Sequence, residues 1–288
     1  MRVLVLGGGG QVASAVVAAA PAQHHVAVRT RAELDIGDAK AVARALSETA
    51  AEWLINAAAY TAVDLAEDQP SQAIAVNDTA VGVLAAAAST AGCRLLHLST
   101  DFVFDGNSNR AYLPDDQTNP LSIYGESKLG GERRVLNGAG SGIVLRTAWV
   151  YAAAGRNFAL TMLRLMREKE QVSVVCDQIG TPTWAAGIAA AIWGLVESGA
   201  AAGVYHWTDL GVASWYDFAV AIQDEALARG LLSRAVPVIP ISSAAYPTKA
   251  RRPAFSVLDT AATRALIKVP ARHWRHNLRT MLDGIRTP

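Results

Sequence analysis

The chain opens on Arg2-Val3-Leu4-Val5-Leu6 and passes directly into Gly7-Gly8-Gly9-Gly10-Gln11-Val12-Ala13. A short continuous apolar run that breaks into glycines and resumes at helical period predicts a strand, a tight turn and a helix. A strand that is apolar at successive positions must be covered on both faces, which confines the fold to a sheet sandwiched by helices. In the turn, Gly7 permits the sharp reversal and Gly10 lets backbone approach a pyrophosphate. Small Ala13 lets the helix pack close to the strand, and the helix N-terminus offers free N–H groups to phosphate.

The same alternation continues along the chain. Strand-length apolar runs fall at Arg2-Leu6, His25-Arg29, Trp53-Asn56, Arg94-Leu98, Gly142-Thr147 and Val172-Val175. Helical patterns lie between them, near Gln11-Ala20, Ala39-Thr49, Gln72-Ala91 and Ser122-Asn137. With right-handed crossovers, this order leads to an α/β fold with a doubly wound parallel sheet of the Rossmann type. After residue 150 the pattern is less regular. Helices are expected near Asn157-Lys169, Thr183-Glu197 and from Ser214 to about Arg229, and the Pro- and Ser-rich Val236-Pro253 reads as extended chain and loop. The expected division is a dinucleotide-binding core over residues 1–150. Residues 151–288 form mainly a smaller substrate-binding lobe, with some segments returning to the core.

Composition narrows the function classes. The 288 residues carry a formal net charge of +1, which offers no electrostatic case for nucleic acid or an anionic membrane. Cys93 and Cys176 stand far apart in apolar settings and read as buried free thiols in a reducing compartment, and no His/Cys cluster has metal-ligand spacing. Met1 to Leu6 is too short for a signal-peptide core. The apolar stretch Trp184 to Val196 is far below the roughly 20 residues that span a bilayer. A cytoplasmic protein is expected.

Two groups of residues carry the chemistry. At the cofactor end, the second strand finishes Val28-Arg29-Thr30-Arg31, with no carboxylate before Glu33. Arg29 and Arg31 suit an adenosine 2′-phosphate, so NADPH is expected, with NADH as the alternative. Asp35-Ile36 falls where an adenine ring could be held. The small residues of Asn56-Ala57-Ala58-Ala59 end a strand where backbone could lie against a cofactor. At the chemical end, Tyr124 and Lys128 sit one helical turn apart, after a strand that ends Ser99-Thr100-Asp101. Reduction of a ketone needs a proton donor for the developing alkoxide. A lysine at i+4 is expected to lower a tyrosine pKa from its usual value near ~10, and Thr100 supplies a hydroxyl to the carbonyl oxygen. Lys128 also reaches a nicotinamide ribose.

These segments resemble the extended short-chain dehydrogenase/reductases, and among them the dTDP-4-dehydrorhamnose reductase family. The resemblance runs over about residues 1–260. It is carried by Asn56-to-Asp64, Ser99-Thr100-Asp101-Phe102-Val103-Phe104-Asp105-Gly106, Tyr124-Gly125-Glu126-Ser127-Lys128-Leu129, Leu145-to-Tyr151, Asn157-Phe158, Asp177-to-Thr183, Ser214-to-Ala219 and Tyr246-to-Pro253. It implies hydride delivery from NADPH to C4 of dTDP-4-dehydro-6-deoxy-L-mannose, giving dTDP-L-rhamnose. Thr100, Tyr124 and Lys128 match the catalytic trio. Gly10, Gln11 and Val12 match phosphate contacts, and Ala59, Tyr60 and Thr61 match nicotinamide-side contacts. Asp101, Phe102, Val103 and Trp149 are implied to hold the sugar, and Arg251 and Arg252 could reach its diphosphate. Ala13 and Phe102 stand where this family more often has glycine and tyrosine. Some members pair through C-terminal carboxylates that hold a metal. The tail from Trp274 to Pro288 carries only Asp283, so no metal is expected, and either a monomer or a homodimer is open. The rival readings are another sugar-nucleotide epimerase or ketoreductase, and a non-catalytic regulatory subunit that would have no need of the trio.

Overall fold

The structure, a computed structural model, describes residues 1–138 and 142–285. Six parallel strands form the central sheet: β1 (Arg2–Gly8), β2 (His25–Thr30), β3 (Trp53–Asn56), β4 (Arg94–Thr100), β5 (Gly142–Thr147) and β6 (Gly203–His206). Their order across the sheet is β6-β5-β4-β3-β1-β2. The chain thus runs outward from β1 to β2, crosses back to β3 and then proceeds to the other edge. This is the doubly wound arrangement expected from the alternation, and it leaves its switch point beside the C-terminal end of β1.

The apolar strands are apolar because both faces are covered. On one face Val3, Val5, Leu96, Leu98, Ile143 and Leu145 pack with helices α1 (Gln11–Ala18) and α8 (Ala185–Glu197). On the other, Leu4, Leu6, Leu54, Leu95 and Val144 pack with α2 (Ala39–Thr49) and α5 (Ala80–Thr90). Helix α8 is apolar nearly all round because it is buried between sheet and solvent-side segments, and Trp193 Nε1 ties it to α1 by donating to Val16 O at 2.9 Å. Both α8 and β6 lie after residue 150, yet they belong to the sheet layers. A third core gathers α7 (Phe158–Glu168), α9 (Trp215–Ala228) and α11 (Trp274–Asp283) around a small parallel pair, Val172–Val175 with Val238–Ile241.

The helix expected over Gln72-Ala91 is interrupted. Short α3 (Val63–Asp68) and α4 (Pro70–Ile74) lead into a π turn, Ala75–Thr79, before α5 begins. By length and composition the run Pro70–Thr90 could cross a membrane; here it packs against α2 and α6 (Ile123–Leu136). Helices α3, α10 (Ala261–Ile267) and α11 are additions to the sequence reading. In α11 an apolar stripe, Trp274, Leu278, Met281 and Leu282, is hidden among Arg and His residues.

Helix α6 approaches the π turn so closely that only glycine fits. A Cβ on Gly131 would lie 2.2 Å from Asn77 O, and one on Gly130 would lie 2.6 Å from Asp78 Oδ2. Alanine would gain about 1 kcal/mol of helix propensity at Gly131, but overpacking against backbone costs typically about 1–3 kcal/mol. Gly131→Ala is therefore expected to lower the urea midpoint of unfolding. An unchanged or higher midpoint would contradict this account of the contact.

Candidate active site

The C-terminal ends of β1, β3, β4 and β5 form one edge of the sheet, and most residues singled out in the sequence lie along it. Gly7 has φ +91°, and a Cβ there would meet the Ala57 carbonyl carbon at 2.7 Å, so this glycine lets the end of β1 pass against the Ala57-Ala58 backbone. Gly10 N donates to Gly7 O at 3.0 Å and closes the turn. The most open position is Gly9, exposed, with φ +85° and no heavy atom within 4 Å of where a Cβ would stand. Helix α1 then starts with no side-chain cap and no acidic residue in its first turn. Its first N–H groups, near Gln11 and Val12, are thus positioned for an anion, and the cradle fits a dinucleotide pyrophosphate. Ala13 is buried against the sheet as expected. The Gln11 amide is held from the lobe side: Nε2 donates to Arg156 O at 3.1 Å and Oε1 accepts from Asn157 Nδ2 at 2.9 Å.

At the end of β2, Arg29 donates to Val28 O at 3.0 Å, and Arg31 is exposed. The carboxylate that sequence order put too late comes back to this point in space. Glu33 Oε2 accepts from Thr30 N at 2.8 Å and from Thr30 Oγ1 at 2.9 Å, and these bonds lower its pKa. Asp35 Oδ1 is spent on Gly37 N at 2.9 Å. Ile36, expected near an adenine, instead packs its side chain into the core with Leu4, Leu6 and Leu34, because it follows the strand inward. Ala57, Ala58, Ala59 and Tyr60 are half-buried along the edge, and Thr61 is exposed. Tyr60 is fixed by Asn77 of the π turn, whose Oδ1 accepts from Tyr60 N at 2.8 Å and whose Nδ2 donates to Tyr60 O at 2.9 Å.

Strand β4 delivers Thr100 to the same edge, and the chain then turns through a 3₁₀ segment, Asp101–Val103. Thr100 Oγ1 donates to Asp101 Oδ1 at 3.0 Å and accepts from Phe102 N at 3.2 Å. Ser122 caps α6 by accepting from Gly125 N at 3.2 Å. A Cβ at Gly125 would stand 2.3 Å from Phe102 O, so the glycine after Tyr124 brings the start of α6 onto the Thr100–Phe102 turn. Tyr124 meets Phe102 edge to face, ring centroids 5.5 Å apart. One turn on, Lys128 is 2% exposed; its Nζ donates to Leu98 O at 2.5 Å and lies 3.3 Å from His97 Nε2.

The electrostatics revise one expectation. The Tyr124 phenol is pushed up to about 12 by burial, with the Thr100 hydroxyl opposing and Asp101 adding to the shift. Lys128, engaged by Leu98 O and His97, does not depress it, and Lys128 itself is lowered to about 8 by burial. Tyr124 is therefore a firmly protonated phenol at neutral pH. Asp101 is 2% exposed, and burial raises its carboxyl to about 6 against the hydroxyls of Ser256 and Thr100. The Ser256 hydroxyl makes no hydrogen bond of ordinary geometry to Oδ2, which has no partner among the described residues.

The sugar-side expectations divide. Phe102 stays half-open beside Tyr124, whereas Val103 is 0% exposed and belongs to a core of Phe104, Tyr112, Leu129 and Leu258, so its side chain does not reach the edge. Trp149 has φ +46° and stacks on Trp215 at 3.5 Å with a 4° interplanar angle. Its indole fills the space a Cβ on Gly180 would need, 2.6 Å away. Arg252 makes a bidentate pair with Asp64 at 3.0 and 2.7 Å that lowers the Asp64 pKa. Lys249 pairs with Asp68, so the Tyr246–Pro253 loop is clipped to α3, with Arg251 exposed.

The sequence matches the family model described as RmlD substrate binding domain over residues 1–287. A dTDP-4-dehydrorhamnose reductase of Burkholderia thailandensis is 42% identical over 286 residues, covering 96% of each chain. One from Escherichia coli is 37% identical over 257 residues, 88% of this chain and 86% of that protein. The chain belongs to the dTDP-4-dehydrorhamnose reductase family. As a member of it the protein is an oxidoreductase. Among solved structures, the Bacillus anthracis dTDP-4-dehydrorhamnose reductase in complex with NADP superposes with TM-score 0.92 at 31% identity, covering 98% of both chains. A Thermus thermophilus UDP-glucose 4-epimerase, TM-score 0.84 at 19% identity with 99% of each chain covered, shares the fold.

Several site residues lay outside the sequence expectations. Asn77 had no local signal, since a π turn appears only in three dimensions, and Trp215, within the Ser214-to-Ala219 segment, gave no sign of its stack on Trp149. Asn56 and His97 did carry one: each is a polar residue at the end or centre of an otherwise buried apolar strand. Among the described residues no group of three His, Cys, Asp or Glu lies together, and Asp283 is paired with Arg229 at 2.7 Å; Cys93 is buried as expected, whereas Cys176 is exposed.

Behind the site, Glu132 accepts from Arg146 Nε at 2.8 Å, from Arg146 Nη2 at 2.7 Å and from Ser99 Oγ at 2.5 Å, with both charges almost fully buried. Removing one partner leaves a buried charge uncompensated. Glu132→Gln is expected to cost about 3–5 kcal/mol of stability in urea unfolding, and a loss below about 1 kcal/mol, the size of an exposed pair, would refute this role.

Proposed function

We propose that this protein reduces the C4 ketone of dTDP-4-dehydro-6-deoxy-L-mannose to dTDP-L-rhamnose, with NADPH as the hydride donor. The reading rests above all on the convergence of Thr100, Tyr124 and Lys128 at one end of β4, on the same sheet edge as the open Gly7–Gly10 turn. Family membership supports the substrate, and the NADP complex of the Bacillus anthracis relative supports the cofactor. Gly7, Gly10, Gln11 and Val12 would hold the pyrophosphate, Ala57 to Thr61 the nicotinamide side, and Lys128 the ribose. When bound, the nicotinamide supplies the hydride to C4.

The protein's own part is the proton and the geometry. Thr100 Oγ1 is within reach of a carbonyl oxygen placed between it and Tyr124, and polarises it by hydrogen bonding. As negative charge develops on O4, the Tyr124 hydroxyl gives up its proton to that oxygen, and solvent later restores it. A phenol held near 12 is suited to this direction, because it stays protonated until an alkoxide, a stronger base, appears beside it. Trp215 and Gly180 cover the two faces of the Trp149 indole, so it would meet the deoxysugar with its edge. Wild-type protein is expected to oxidise NADPH in the presence of the 4-keto-6-deoxy sugar nucleotide. Tyr124→Phe should slow turnover by about 10²–10⁴-fold while binding NADPH nearly as tightly. No NADPH oxidation by the wild type would sink the substrate reading, and near-normal turnover by the variant would sink the role of the phenol.

Arg29 and Arg31 flank the end of β2 and support a 2′-phosphate, while Glu33 sits at Thr30 as a competing acceptor for a 2′-hydroxyl. The cations prevail if Arg29→Ala or Arg31→Ala weakens NADPH binding by about tenfold or more, the size of a lost charge-assisted hydrogen bond, without weakening NADH. Equal affinity in both variants would instead assign the choice to Glu33.

A further inference from the structure

The chain between Ser243 and Pro253 leaves the lobe, reaches α3 and returns, and it is fastened differently along its length. At its start the Ser243 N–H and hydroxyl donate to Asp177 at 2.8 and 2.6 Å, and the hydroxyl accepts from Gln178 at 3.0 Å. At its end the Ala254 carbonyl accepts from Ile179 N at 2.8 Å. Pro253 and Ala254 also lie so close to Gly106 that a Cβ there would stand 2.6 Å from Ala254 N. Between these anchors only Ala250 is buried, and Tyr246 is 60% exposed. Among the described residues, every hydrogen bond from residues 247–252 to another element goes to a carboxylate of α3. Arg252 grips Asp64 with both Nη atoms at 3.0 and 2.7 Å, Ala250 N donates to Asp64 Oδ1 at 3.1 Å, and Lys249 pairs with Asp68.

We propose that residues 244–252 form a strap latched by charge onto α3, with Asp64 and Arg252 as the positioning pair that closes the lobe against the cofactor edge. The latch stands on the geometry alone; what it closes over rests on the proposed reduction. Helix α3 is the element that follows the Ala57-to-Thr61 edge, and its remaining carboxylate, Glu67, accepts from Ile123 N at 2.9 Å, one residue before Tyr124. A closed strap therefore ties the lobe to the helix that borders the cofactor edge and braces the start of α6.

The contacts divide the hold unequally. The Lys249–Asp68 pair is exposed on both sides, and such pairs contribute little. The Asp64–Arg252 pair is bidentate, with side chains 43% and 23% exposed, so the specific part of the hold lies there. One alanine methyl is a small apolar anchor beside it. A segment fixed this way releases and re-forms without repacking a core, and salt weakens it. The Arg252 fork is also occupied, so a substrate diphosphate would have to displace a carboxylate to reach it.

The test reads amide hydrogen exchange at Ala250, bonded to Asp64, with amides of the central sheet as the control for global opening. In the wild type, raising NaCl from about 0.01 to about 1 M shortens the screening length from roughly 30 to 3 Å and is expected to speed Ala250 exchange several-fold. Asp64→Asn keeps an acceptor but not the charge, and should speed it by about tenfold. Unchanged Ala250 exchange in either arm, with the sheet still protected, overturns the latch; the salt arm needs no variant. With the 4-keto-6-deoxy sugar nucleotide, Asp64→Asn and Arg252→Ala should each raise KM by about tenfold, and the double variant no further, because both break one contact. An unchanged KM or additive effects would overturn the positioning role. Calorimetry with dTDP separates the rival: weaker binding in Arg252→Ala but not in Asp64→Asn would assign Arg252 to the diphosphate and overturn the latch. Absence of NADPH oxidation by the wild type would remove the reductase reading and leave the exchange result standing.

Discussion

The position of α6 depends on a buried ion pair. Tyr124, Lys128 and Glu132 follow one another at intervals of four along one face of the helix, turned toward β4. Only the last is anchored by charge. Two charges taken out of water are costly, and Glu132 and Arg146 are stable there because Ser99, the Pro114 carbonyl and two guanidinium N–H groups satisfy most of their remaining capacity. Gly125 lets the helix start against the Phe102 backbone, and Gly131 lets it pass against Asn77 of the π turn. Once Glu132 is locked to β4 and β5, helical geometry alone carries Lys128 beneath the β4 backbone and Tyr124 to the sheet edge.

Much of this was legible in the sequence, and the reason is physical. Strands buried on both faces read as unbroken apolar runs, and β3 and β5 have the bounds expected from them. The convergence of Thr100, Tyr124 and Lys128 was legible because they are a strand end and two positions one turn apart. Residues whose role depends on distant partners were not. Glu33 looked too late in the chain to grip a ribose, yet a turn folds it back onto Thr30. Ile36 and Val103 looked like edge residues and are core, because the short segments after β2 and β4 turn their apolar side chains inward. The π turn inserts one residue's worth of rotation into an otherwise ordinary helix. Nothing in Ala75–Thr79 announces it, and Asn77 meets Tyr60 because of it.

Trp149 shows strain located where lobe and sheet meet. A bulky residue at φ +46° costs on the order of 1–3 kcal/mol and persists only where surroundings over-determine it. Here they do: Gly180 gives its space on one side, and Trp215, tied to Gln178 through Nε1 at 3.2 Å, stacks on the other. Gln178 then donates to Ser243 at 3.0 Å. The indole is thereby fixed relative to both the sheet and the segment that carries Ser243, with both of its faces occupied.

Burial moves Tyr124, Lys128 and Asp101 toward neutrality: the phenol up, the lysine down, the carboxyl up. A neutral ketone gains nothing from a strongly charged pocket, and a proton donor must keep its proton until charge appears on the substrate. The lasting charges lie elsewhere: Arg146 and Glu132 cancel behind the helix, and Arg29, Arg31 and Arg251 stand at the rim. Under the proposed function, such a division would place the anionic phosphates at the periphery. In the proposed reaction, the alkoxide developing on O4 would draw the proton from Tyr124.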